Sequence, residues 1–179
     1  ITDTPANAGQ YNSVAVVSDG SIAIGAGNRI TRVRPENGAT LSQITTAAPF
    51  VDFASCAYPN LVYAQKDLPN GRYLPTDQFR LQITSPNVTN EYVGITEGTD
   101  SGLQDLPSET AGPVLGVDGV TFTVTETGVG TTDLANYVTT WECVNRTTGQ
   151  VLSSGSGAIA TFTLPSNSEP AEVYCTFTN

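Results

Sequence analysis

The chain has 179 residues, 7 basic against 17 acidic, a net charge of −10 and no histidine. That charge repels phosphate backbones and anionic membrane surfaces, which argues against nucleic acid as a partner. Without histidine there is no Ser/His/Asp triad, no Cys/His pair and no ordinary zinc site, and no apolar run approaches the roughly 20 residues that cross a bilayer.

Thr, Ser and Gly are abundant, Val is the main aliphatic residue, and strong helix formers are sparse. This is all-β composition. With no initiator methionine and no signal peptide, the sequence reads as a processed or excised piece of something longer. Three cysteines, Cys56, Cys143 and Cys175, form no Cys-x-x-Cys pair, and a disulfide in an exported protein with one cysteine left over is the better reading. No cofactor is expected, since no Gly-rich phosphate loop runs from a strand into a helix.

After a polar arm from Ile1 to about Gln10, four short strands are predicted at Ser13 to Val17, Ser21 to Gly25, Arg29 to Arg34 and Ala39 to Thr45. Asp19-Gly20, Gly27-Asn28 and Asn37-Gly38 punctuate them with the residue types of tight hairpins. The result is a four-stranded antiparallel meander. Tyr11 to about Thr46 resembles one blade of a β-propeller, a fold that needs several blades to close its ring. Ala47 to Asn60 carries Pro49 and Pro59 around Phe50, Phe53 and Cys56, and the domain boundary is placed there. The division is 1–56 for meander and linker, and 57–179 for a second domain.

Beyond the linker the alternation is regular. Strands are predicted at Leu61 to Leu68, Gln78 to Thr84, Tyr92 to Ile95, Val120 to Glu126, Tyr137 to Asn145, Val151 to Ser154, Ala158 to Leu164 and Val173 to Asn179. Thr99 to Pro113 reads as a loop or irregular edge, and Thr131 to Asn136 forms one helical turn at most. Seven or so short strands at this spacing make a β-sandwich.

Three of these strands put a polar residue on an otherwise apolar face. Lys66, the only lysine, follows Val62 and Ala64; Glu126 follows Val120, Phe122 and Val124; Asn179 follows Val173, Cys175 and Phe177. Strict period two turns all three inward. Burial disfavours both charges, which favours a neutral amine as nucleophile and a protonated carboxyl as proton shuttle. The chemistry available is an amide between Lys66 Nζ and Asn179 Cγ with loss of ammonia. A non-covalent Lys66 to Glu126 pair, or a lysine that snorkels to water, fits the same pattern.

These residues resemble the collagen-adhesin B-type domains and the related prealbumin-like domains of Gram-positive surface proteins and pilins. The resemblance covers Leu61 to Asn179. Lys66 in L-V-Y-A-Q-K-D-L stands where that family has its first-strand lysine, Glu126 where it has the glutamate of a "Glu-Thr…Gly-Tyr" segment, and Asn179 in C-T-F-T-N at the terminal-strand asparagine. The segment up to Tyr137 departs from the pattern, being longer and lacking the usual proline and glycine before the tyrosine. The resemblance implies a transthyretin-like or prealbumin-like sandwich and an intramolecular isopeptide bond with Glu126 as autocatalytic proton shuttle. It also implies no turnover and an extracellular, cell-surface or cell-wall location. The function expected is a stalk, adhesin segment or pilin-like fibre component.

Its partners would be a host, carbohydrate or cell-surface ligand, or neighbouring fibre subunits. The alternative is a ligand-binding module in which a partial propeller recognises carbohydrate or protein and the sandwich is a spacer. Parity also lets Cys143 and Cys175 meet in one core, where a disulfide would close a loop of about 30 residues. Asn87-Val88-Thr89 and Asn145-Arg146-Thr147 match the glycosylation pattern, and Glu97, Asp100 and Asp105 are acidic loop residues able in principle to hold calcium. Leu106-Pro107-Ser108-Glu109-Thr110 begins like a sorting signal but has glutamate in place of threonine.

Overall fold

The structure, a computed structural model, describes residues 11–49, 54, 57–86, 88–166 and 169–179. The polar arm, Phe50, Phe53, Cys56 and Asn87 lie outside the described residues, and with them part of the expected boundary.

Four strands, β1 (Ser13–Val16), β2 (Ile22–Ala26), β3 (Arg29–Val33) and β4 (Thr40–Thr45), pair in chain order as an antiparallel meander. This is the predicted meander, with ends moved by a residue or so. Its burial is slight: Ser13, Gly20, Ser21, Ala23 and Gly25 are the buried residues of its strands and turns, and β4 is exposed along its whole length.

The meander touches the rest of the chain through its first hairpin turn and through Glu36, between β3 and β4, whose carboxylate faces the Val117 amide. Asp118 N donates to Asp19 O at 2.9 Å, and Asn60 Nδ2 lies 3.4 Å from Asp19 O and 2.9 Å from Asp118 Oδ1. Gly20 is needed at this contact, because it has φ +85° and a Cβ there would stand 2.4 Å from Gly116 O.

The second region is a sandwich of two sheets. One is four-stranded, in the order β13 (Ile159–Thr163), β10 (Thr121–Val129), β6 (Gln78–Thr84) and β7 (Tyr92–Ile95). The other has β12 (Gln150–Ser156), β11 (Thr140–Asn145), β14 (Glu172–Thr178), β5 (Asn60–Leu68) and β8 (Gly102–Gln104), with β9 (Ala111–Gly116) also paired to β5. The chain is therefore all-β. Alternate residues of each strand fill one core: Val62 and Ala64 of β5, Leu81 and Ile83 of β6, Phe122 and Val124 of β10, Cys143 of β11, and Val173, Cys175 and Phe177 of β14.

Two strands fall where a loop was expected. β8 and the first half of β9 lie within Thr99 to Pro113, whose Gly102, Pro107, Gly112 and Pro113 obscure any alternation. A register shift of β9 against β5 between Val62 and Ala64 accommodates Gly112 and Pro113, so the proline sits where the ladder asks for no amide hydrogen. Thr131 to Asn136 gives a single 3₁₀ turn, Leu134–Asn136, capped by the Asp133 carboxylate.

Candidate functional site

The first and last strands of the sandwich are neighbours. β14 runs parallel to β5, with Cys175 beside Ala64 and Phe177 beside Lys66. Lys66 sits inward because Val62, Ala64 and Leu68 on its face are fully buried, and Glu126 does so because Phe122 and Val124 are. β10 belongs to the opposite sheet, so the glutamate approaches the lysine across the core.

The two side chains meet with no exposure at either: Lys66 Nζ lies 2.9 Å from Glu126 Oε1. Lys66 Nζ also donates to the Phe177 carbonyl at 3.2 Å and rests 4.9 Å above the centre of the Phe79 ring. Asn179 follows the last residue of β14, is half-buried, and is held by its own N–H on Asp67 O at 3.2 Å. Its Nδ2 donates to Glu126 Oε1 at 3.3 Å, while its buried Oδ1 has no hydrogen-bond partner among the described residues. Lys66, Glu126 and Asn179 thus converge on a single carboxylate oxygen.

Burial pulls the Lys66 amine down to about 8, against the opposing attraction of Glu126. The amine is therefore far closer to its neutral form near neutral pH than an exposed lysine. An unpaired charge on either partner would be costly here.

Thr139 lies in the segment expected as the strand Tyr137 to Asn145, where no motif marks it. Its hydroxyl, buried, donates to Glu126 Oε2 at 3.2 Å and fixes the second carboxyl oxygen. Tyr137 meets Phe79 edge to face at 5.0 Å between centroids, and its hydroxyl donates to Asp77 Oδ2 at 2.7 Å. Burial and this hydrogen bond push the Tyr137 phenol up to about 12, and the same bond holds buried Asp77 below the usual carboxylate range. The ring that supports Lys66 is itself propped by a tyrosine tied to a buried carboxylate. A Tyr-Asp pair 60 residues apart in the chain leaves no local pattern to read.

Cys143 and Cys175 are disulfide-bonded, facing each other across β11 and β14 with Cα atoms 4.0 Å apart. Asn145 is fully buried, so the second glycosylation motif is closed off; its Oδ1 accepts from Thr147 N at 3.1 Å. Among the described residues, no three acidic or other ligating side chains group as a metal site. Glu109, at the odd position of the sorting-like motif, is buried and accepts from Glu97 N at 2.9 Å and Leu106 N at 3.2 Å, a turn-closing duty that threonine could not perform.

A family model described as a prealbumin-like fold domain matches residues 62–179. Among solved structures, the major pilin from Streptococcus pyogenes is similar at 15% identity over 89% of this chain and 62% of that one, with a TM-score of 0.42. A bacterial adhesin from Mobiluncus mulieris, described as containing intramolecular disulfide, isopeptide and ester bond cross-links, is similar at 13% identity over 94% and 60%, with a TM-score of 0.45. This chain thus spans less than two thirds of those chains. No curated protein matches it.

Proposed function

The chain belongs to the prealbumin-like fold domain family, and from that premise we propose that it is an extracellular structural or adhesive module hardened by an internal Lys66 to Asn179 amide. On this reading residues 1–56 are a meander with its linker and residues 57–179 the cross-linked sandwich. The module serves as a stalk, adhesin segment or fibre component of a Gram-positive cell surface.

The observation that carries the reading is the shared oxygen: Glu126 Oε1 is 2.9 Å from Lys66 Nζ and 3.3 Å from Asn179 Nδ2 inside an apolar core. In the reaction, the ion pair first exchanges its proton, giving a neutral amine and a protonated carboxyl. Lys66 Nζ attacks Asn179 Cγ while the Glu126 hydroxyl hydrogen-bonds to the carboxamide. The tetrahedral intermediate hands one amine proton back through Glu126 to Nδ2. The Cγ–Nδ2 bond breaks, ammonia departs, and the Nζ–Cγ amide remains. No oxidant or cofactor is required. Proximity and orientation supply the rate, a contribution of about 7 to 11 kcal/mol in well-aligned systems. The protein is consumed as its own substrate, so there is no turnover.

Such a bond ties the first strand of the sandwich to the end of its last. Tension entering at one and leaving at the other would pass through covalent bonds and spare the sheets between. A tryptic map tests the assignment. The peptide containing Lys66 should emerge joined to the peptide ending at Asn179, and Glu126→Ala should release both as separate linear peptides. Linear peptides from the unmutated chain would refute it.

A further inference from the structure

The core-facing side of β5 and β14 holds the lysine and the disulfide, and the outer side of the same strands has a different character. Tyr63 and Tyr174 are opposite each other in register and stack with ring centres 4.5 Å apart and planes 13° from parallel. The Arg146 guanidinium lies 3.5 Å over the Tyr174 ring. Both rings are half-buried, and neither contributes to the core.

Beside this stack is a depression of about 430 Å³, in the size range of small-molecule sites, lined by Tyr63, Gln65, Arg146 and Asp105 and by the apolar Leu103 and Pro113. Gln65 is almost fully buried, yet it is directed outward by the same alternation that turns Lys66 inward. Its Nε2 donates to Thr176 Oγ1 at 2.8 Å, and no donor among the described residues takes up its Oε1. Thr176 in turn lines a second depression of about 600 Å³ on the same face, together with Glu142, its neighbour in register on β11. The Gln65 to Thr176 hydrogen bond joins a residue lining the first depression to one lining the second.

We propose that this outer face binds a neutral oligosaccharide long enough to occupy both depressions, a property independent of the Lys66 amide. The tyrosine faces and the Leu103 and Pro113 wall suit the C–H faces of pyranose rings. The polar groups around them are of both kinds. Asp105 and Glu142 only accept, Arg146 only donates, and Gln65 offers both. A sugar hydroxyl donates and accepts, so one ligand class satisfies the whole set.

A proline-rich peptide offers carbonyl acceptors and would leave the two carboxylates desolvated and unmatched. An acidic glycan would meet Asp105, Glu142 and a chain of net charge −10 with Arg146 as the one cation lining the two depressions.

The test is titration of the intact chain with cellohexaose, mannohexaose, chitohexaose and a galactose hexamer, read by amide chemical shifts. At least one should bind, with shifts on the outward residues of β5, β11 and β14. Tyr63→Ala should weaken that binding about tenfold. Asp105→Asn, an exposed change that leaves the fold alone, should weaken it several-fold. Intact mass, measured on the same samples, reports separately on the amide. The proposal is overturned by any of three results: no hexamer binding at millimolar concentration, shifts confined to the meander, or binding only of sialyllactose or a decaproline peptide.

Discussion

The meander and the sandwich are made of the same parts, short alternating strands joined by tight turns, and they are held in different ways. In the sandwich each sheet buries one face against the other, and residues from Val62 to Phe177 fill one continuous core. Among the described residues no second layer covers the meander sheet, with β4 exposed throughout and Val14 and Ile44 largely exposed. A sheet needs another element on its apolar face before alternation becomes stability. The meander instead leans on its turns, where Asp19 and Gly20 meet Asn60, Gly116 and Asp118 and where Glu36 faces the Val117 amide. Covalent reinforcement is found in the region that already has the core.

The largest break in that contrast should come from Lys66→Ala. It removes the proposed amide, whose loop of on the order of 100 residues is worth about 4 to 5 kcal/mol in the chain-entropy model, and it strands the Glu126 carboxylate in the core. Denaturant unfolding followed at Trp141, which lies in the sandwich, should shift far to lower concentration, while hydrogen exchange in β1 to β4 changes little. Replacing both disulfide cysteines by alanine comes next, at about 3.5 to 4 kcal/mol for a bridge whose cysteines are 32 residues apart. Calorimetry with and without reductant on the unmutated chain should give the same difference.

Asn179→Ala isolates the lysine without the amide. With Lys66 held near 8 in the folded chain and near its ordinary 10.5 when unfolded, the unfolded state binds more protons between those values. The stability of this variant should therefore rise as pH is raised from about 8 to about 10.5, and adding Lys66→Met should flatten that rise. Tyr137→Phe keeps the ring on Phe79 but deprives buried Asp77 of one of its donors, Leu74 N remaining on Oδ2, a loss of about 1 kcal/mol by thermal unfolding. Gly20→Ala should affect the sandwich least: exchange in β1 to β4 should quicken, with the unfolding midpoint of the sandwich nearly unmoved.

Period-two alternation made most of this legible from sequence. It turned Lys66, Glu126 and Cys175 inward because each sits among fully apolar neighbours of the same parity. It missed β8 and the first half of β9, where glycine and proline interrupt the pattern and pairing to β5 rather than hydrophobicity makes the strand. Thr139 was legible as a face and not as a function, since a hydroxyl needs a partner from another strand to acquire one. The Tyr63 and Tyr174 stack was invisible for a related reason. The parallel register of β5 and β14 brings together residues 111 apart in the chain, and nothing local to either marks the other.

The covalent link is tested most directly by the intact mass of the unfolded, reduced chain. A mass one ammonia below that of the sequence, restored by Lys66→Ala, is the expected result. The full sequence mass would mean that Lys66 and Glu126 are an ion pair and nothing more, and that the sandwich is held by its core and its disulfide alone.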